Sequence, residues 1–351
     1  MRRIVSLLVL VMFSCMLLGQ QTSARKPSPP CYSITDLGDF YLDSNWDQTL
    51  GINAEGWVVG ATSRWGNPPQ GFLYRFRTTT KLPTLSGGLA DPRRVNAQGQ
   101  IAGGATVTGG SGGYWHAALW SDGRVIDLPN VGGPNGFAVA LNARGDAAGN
   151  STDSQGVYRA AAWFNRNVVD LGINGELMSY ANGINDANQV AMISEYPDTT
   201  WHSFIWERGV LTEIPRVAGD IWVEAINNAG TACGQALFST GYHAFLWKGA
   251  MPIDLDPTSV LASWSSCNGI NAPGQVVGWG EDSSGVLHPF VWRNAGEGIV
   301  DLNSTIPASS GVTLFNAFTI NGRGQIAAAG WLSNGQQHAF RLTPAQCTAQ
   351  N

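Results

Sequence analysis

The chain has 351 residues, with 20 basic and 25 acidic side chains, and only 13% of its residues are charged. It contains no basic run, which excludes nucleic acid as a natural partner. The 44 glycines and 14 tryptophans suit short strands joined by tight turns rather than helices.

The N-terminus reads as a secretory signal peptide over residues 1–24. Arg2 and Arg3 supply the positive start, Ile4 to Leu18 form the apolar run, and Thr22-Ser23-Ala24 offers small residues for cleavage. The apolar run is too short and wrongly flanked for a spanning helix, and no later stretch is long enough to cross a bilayer. The mature chain is therefore expected to be secreted or periplasmic, without membrane insertion. A Pro-rich linker, 25–30, leads into the folded region at 31–347, and 348–351 is a tail. Without Arg2 and Arg3 the basic residues fall to 18, so the mature chain is acidic.

From Asn53 onward one phrase recurs, apolar-Asn-x-x-Gly followed by a β-rich stretch. Its turn residues are Asn53, Asn96, Asn142, Asn185, Asn227, Asn271 and Asn321, at spacings of 43, 46, 43, 42, 44 and 50 residues. Asn suits the first position of a type I turn because its side chain can bond the backbone two residues on. The Gly three residues later supplies the positive φ that closes the hairpin. Asn188 replaces that Gly in the fourth copy, and Asn tolerates the conformation best among other residues.

A second phrase follows each copy, from Phe72-Leu73-Tyr74 to His243-Ala244-Phe245 and His338-Ala339-Phe340, and a third ends in acidic-apolar, as in Asp127-Leu128 and Asp301-Leu302. In the first copy, Leu82-Pro83-Thr84-Leu85 reads as a degenerate third phrase. Each unit therefore predicts four strands. A period near 44 with four strands per unit predicts an all-β seven-bladed β-propeller. The phrases resemble those of the bacterial extracellular HAF-repeat family over roughly residues 34–342, with Gln70 and Arg159 departing from the His position. The resemblance implies export and a repeat fold, and it brings no catalytic residues.

A stray third phrase, Ile34-Thr35-Asp36-Leu37, precedes the first copy, and the seventh copy lacks one after Leu342. The N-terminal strand is thus expected to complete the last blade, which protects otherwise exposed edges. Cys31 and Cys347 flank that pairing and are expected to form a disulfide worth about 5 kcal/mol on the chain-entropy model. Cys233 and Cys267 occupy slots that take small residues elsewhere. Strand alternation puts both on the same face of their sheets, so they are expected to point the same way rather than at each other.

His116, His202, His243, His288 and His338 all fall at one repeat position, which reads as a structural hydrogen bond repeated by descent and not as a metal or catalytic site. Trp120, Trp163, Trp206, Trp247 and Trp292 read as packing wedges. No catalytic signature, cofactor motif or metal-ligand spacing is recognisable, so no cofactor and no metal are expected. The loops at 152–156 and 281–285 read as plain turns.

The copies differ most in the segments leading into each innermost strand, which should open at a central funnel. Trp46, Asp47, Asp91, Arg93, Arg94, Tyr180, Trp222, Glu224 and Trp264 are the candidate ligand-binding residues there. Aromatic faces interleaved with carboxylates and an arginine pair suit sugar rings or an extended peptide. The expected function is a monomeric, non-catalytic binding scaffold for carbohydrate or an extracellular protein. The alternative is a polysaccharide lyase or hydrolase using Asp47, Asp91 or Glu224 with Arg93 or Arg94.

Overall fold

The computed structural model describes residues 30–40, 49–62, 70–108, 113–173, 175–257, 260–261 and 264–347. The signal peptide, nearly all of the linker, Trp46, Asp47 and the tail lie outside these. The described residues form β-strands with two short 3-10 turns, Leu302–Thr305 and Ala308–Ser310. No helix among them is long and apolar enough to cross a membrane.

Each sequence repeat folds into one antiparallel meander. The first comprises Gly51–Ile52, Val58–Thr62, Gln70–Arg75 and Thr78–Lys81, and the others follow its plan. Five sheets have four strands, and two further meanders join into one eight-stranded sheet through a single parallel bridge, Tyr242 to Trp264. The strand Cys31–Asp39 pairs antiparallel with Gln337–Ala345, in a sheet with Val312–Ile320 and Ile326–Leu332.

The turn Asn does more than its local chemistry predicts. Its Oδ1 accepts the backbone N–H two and four residues on, as Asn227 does from Ala229 and Thr231 at 3.0 Å each, except at Asn271, where Pro273 has no N–H and only Gln275 donates. Positive φ follows at Gly56, Gly99, Gly145, Gly230, Gly274 and Gly324, and Asn188 takes the same role at φ 61. Its Nδ2 then donates to the carbonyl of the next repeat's Asn. This runs from Asn53 to Asn96 and on through Asn142, Asn185, Asn227 and Asn271 to Asn321, whose Nδ2 donates to Asn53 at 2.8 Å. All of these asparagines are buried.

The core lies between successive sheets. Val59 and Leu73 pack against Val95, Ile101 and Trp120, and Leu50, Val58 and Phe72 of the first repeat pack against Phe318 and Ala327 of the last. The repeat histidines join third strand to fourth: His116 bonds Asp127, His202 bonds Glu213, His243 bonds Asp254 and His288 bonds Asp301, at 2.7–3.1 Å. His338 makes the same bond to Asp36 of the N-terminal strand at 2.8 Å. In the first repeat the structural equivalent of Asp-Leu is Lys81-Leu82, because Lys81 lies opposite Phe72 as Asp127 lies opposite Ala118, so the phrase at 82–85 falls one step beyond it. Gln70 and Lys81 thus replace both partners of the pair. Trp120 and Trp163 are buried wedges whose Nε1 donates to Pro83 and Pro129 carbonyls.

Cys31 and Cys347 are bonded, and so are Cys233 and Cys267, contrary to the strand-alternation argument. The reason is a β-bulge. In the inner strand Trp264–Ile270, Cys267 pairs with Gly278 and Gly269 with Val277, leaving Asn268 as an extra residue. One uncounted residue reverses the parity of everything before it. Cys267 therefore faces back toward the preceding sheet, where Cys233 faces forward, and their Cα atoms are 5.9 Å apart. Both cysteines are fully buried.

Candidate functional site

The same bulge recurs in six inner strands and builds the site. Its extra residues are Arg93, Val139, Asn182, Glu224, Asn268 and Phe318, each three positions before a turn Asn. A bulge frees one side chain from the alternation of the ladder and re-aims it. All six line one cavity of about 680 Å³, together with Thr49, Arg94, Glu281 and Phe315 among others. Backbone crowding at the bulge also fixes a neighbour. A Cβ at Gly149, Gly234 or Gly278 would collide with the carbonyl oxygen of Phe137, Trp222 or Ser266.

Charge in this cavity is sparse and oddly arranged. Arg93 is tied to the buried Asp91 at 2.7 Å and lies 4.8 Å over the Phe137 ring. Among the described residues the only hydrogen bond Arg94 makes is from Nη1 to its neighbour's carbonyl, at 2.9 Å. Glu224 has no hydrogen bond or ion pair among the described residues, although the two charges feel each other across the cavity. Burial lowers the Arg94 pKa to about 10, with Arg93 adding to the shift. Burial pushes Glu224 up to about 7, and Arg94 offsets only part of that. Asn182 and Asn268 spend their amide nitrogens on Val223 and on Asn316 and Ala317, so their amide oxygens remain as acceptors. Arg94, Asn182 and Asn268 also line a smaller cavity of about 180 Å³, which continues toward the turn asparagines.

Glu224 makes stability depend on pH. Its folded pKa lies above the usual 4.5, so its contribution is fully present below about pH 4.5 and is lost as pH rises through 7. Glu224→Gln, neutral throughout, should be more stable than the parent at pH 8 by on the order of 2 kcal/mol, with no gain at pH 4. Urea unfolding at the two pH values measures this, and a pH-independent difference would refute it.

Beside the cavity lies a groove of about 580 Å³, lined by Asp91, Arg93, Trp115, Phe137, Tyr158 and Tyr180 among others. Arg93 and Val139 line both. Aromatic contacts continue along the rim: Trp115 to Phe137 at 5.6 Å, Tyr158 to Tyr180 at 5.7 Å, and Tyr180 to Trp201 at 6.4 Å. Trp222 to Tyr242 at 5.5 Å and Tyr242 to Trp264 at 5.6 Å extend the series. Tyr158 is 40% and Trp264 45% exposed, so these rings are available to a ligand and are not wholly taken up by packing.

Of the residues singled out from sequence, Arg93, Arg94 and Glu224 meet in the cavity, and Asp91 and Tyr180 lie in the groove. Trp222 and Trp264 flank Tyr242, whereas Trp46 and Asp47 lie outside the described residues. Sequence reasoning missed Glu281 and the remaining bulge residues. It also missed Trp115, Tyr158, Trp201 and Tyr242, although each immediately precedes the position its repeat shares with the histidines.

The architecture has counterparts among solved structures. The β-propeller domain of the Trilobed protease from Pyrococcus furiosus, described as having an open velcro topology, superposes with a TM-score of 0.55. The match covers 87% of this chain and 96% of that one at 10% identity. The fold is a β-propeller. Acylaminoacyl peptidase from Pyrococcus horikoshii matches with a TM-score of 0.50 at 11% identity, over 83% of this chain and 50% of that longer one. No protein-family model and no curated protein sequence matches. At these identities the likeness extends to the propeller alone.

Proposed function

We propose that the chain is an exported seven-bladed propeller, closed by its N-terminal strand, and that it is a non-catalytic module binding a glycan across the funnel face. Closure is supported by the return of the asparagine series from Asn321 to Asn53, by the His338–Asp36 pair and by the Cys31–Cys347 bridge. Export accords with two disulfides, bonds that persist in oxidising compartments. Membership of the HAF-repeat proteins is part of this proposal and rests on the resemblance of the repeated phrases alone.

The observation carrying the glycan reading is the run of partly exposed rings, Tyr158 and Trp264 the most open, along the rim of a charged cavity. Flat aromatic faces suit the apolar faces of sugars, and the cavity's sparse polar groups suit their hydroxyls. A glycan array probed with the mature protein should give binders, and Trp222→Ala should weaken the best of them roughly tenfold or more. Binding untouched by Trp222→Ala and Tyr180→Ala, or no binder at all, would remove the proposal.

A polysaccharide lyase or hydrolase is the second reading. It is favoured by one observation: Glu224, pushed up to about 7, lines the same cavity as Glu281. Glycoside cleavage uses two carboxyl groups in one pocket, one of them with a raised pKa. Release of shorter products from bound polysaccharide, abolished in Glu224→Gln, would establish it.

A further inference from the structure

Arg94 and Glu224 are oppositely charged groups recessed in one cavity, each still partly exposed, and neither has an ion-pair partner within 4 Å among the described residues. Buried charge is ordinarily paired, because desolvation costs more than a distant attraction returns. These two are held apart by the fold. Arg94 is fixed by its bond to the Arg93 carbonyl, and Glu224 by the bulge in a strand three repeats away. Asn182 and Asn268 line the same cavity, and with their amide nitrogens engaged their amide oxygens are left as acceptors.

We infer that the cavity is a subsite for an acidic sugar unit, with its carboxylate on the Arg94 guanidinium and its hydroxyls on Glu224, Asn182 and Asn268. The guanidinium fork matches a carboxylate in plane and charge. Across the cavity, a carboxyl group and two amide oxygens offer acceptors for hydroxyl donors. At about 680 Å³ the cavity falls in the range of small-ligand sites. The aromatic rim would hold the neighbouring sugars of the same chain, so the assignment rests on the glycan reading above. A peptide carboxylate would also meet Arg94, but it would bring no row of hydroxyls to the opposite side.

The test is calorimetric titration of the mature protein with oligogalacturonate, oligomannuronate and oligoguluronate, each beside its carboxyl-reduced counterpart. An acidic tetrapeptide serves as a further arm. At least one uronate should bind roughly 10- to 100-fold tighter than its reduced form, as expected for hydrogen bonds to a charged group. Arg94→Gln should erase that preference, and Arg94→Lys should restore part of it. Thermal melts of both variants confirm that they are folded. Equal binding of acidic and reduced forms, or a preference that survives Arg94→Gln, overturns the subsite and leaves the glycan reading standing. Tetrapeptide binding without uronate binding also overturns it. Failure of every oligosaccharide, acidic and neutral, would count against both.

Discussion

An Asn227→Ala variant should unfold about 5 °C below the parent protein. Its amide accepts from Ala229 and Thr231 and donates to Asn271, all at 3.0 Å, and the Thr231 and Asn271 bonds are buried whereas the Ala229 bond is partly exposed. Truncation strands the buried Thr231 N–H, leaves the Ala229 N–H to water, and removes one of the two donors to the Asn271 carbonyl, which keeps the Gly274 N–H. The stranded N–H costs about 1–3 kcal/mol and the lost donor about 1 kcal/mol, on the order of 3 kcal/mol together. Asn227→Asp separates the two halves of this role. It keeps the acceptor for the turn but sets a carboxylate oxygen against the Asn271 carbonyl, so it too should be destabilising. Exposed Asn228, which bonds Asp186 across the preceding junction, is the control, and its alanine variant should cost no more than about 1 kcal/mol. If calorimetry finds the Asn227 and Asn228 variants alike, the buried asparagine series is not what fastens one sheet to the next.

Removing the terminal disulfide should be more damaging still. Cys31 and Cys347 are 316 residues apart, against 34 for Cys233 and Cys267. On the chain-entropy model the longer loop is worth about 5–6 kcal/mol and the shorter about 4 kcal/mol. The Cys31→Ser/Cys347→Ser protein should therefore lose about 5 kcal/mol in guanidinium unfolding. Hydrogen exchange should rise first in Cys31–Asp39, the strand that pairs with Gln337–Ala345 across that great sequence distance. A loss below 2 kcal/mol, with Cys31–Asp39 still protected, would mean that the strand ladder and the His338–Asp36 pair hold the termini without the bridge.

Much of the scaffold could be read from the repeats because its chemistry is local. Asn53 to Gly56 closes a hairpin within four residues, and Asn188 at φ 61 follows the same rule with a different residue. The pairing of Ile34 to Leu37 with the last strands followed from a phrase in surplus at one end and missing at the other. The bulges left no comparable mark. Arg93, Val139, Asn182, Glu224, Asn268 and Phe318 share a position but no chemistry, so nothing in their side chains announced a common orientation. Missing that single residue per strand reversed the predicted facing of Cys267 and hid four of the six bulge residues in the cavity wall. Glu281 was missed for another reason. It ends a second strand, and only three-dimensional convergence brings it to a cavity built from inner strands.

The bulge also separates two kinds of inheritance within this chain. Its residue belongs to no ladder pair, so hydrogen bonds on either side are complete whatever side chain stands there. The turn asparagines, three positions later, hold the sheets together and tolerate little change. Substitution at positions 93, 139, 182, 224, 268 and 318 therefore leaves the ladder bonds intact, although Phe318 also packs against Leu50 and Phe72, and Asn182 and Asn268 also bond the next sheet. A repeat protein built this way can vary its cavity wall by duplication and drift while the hydrogen-bonded frame of each sheet is inherited unchanged.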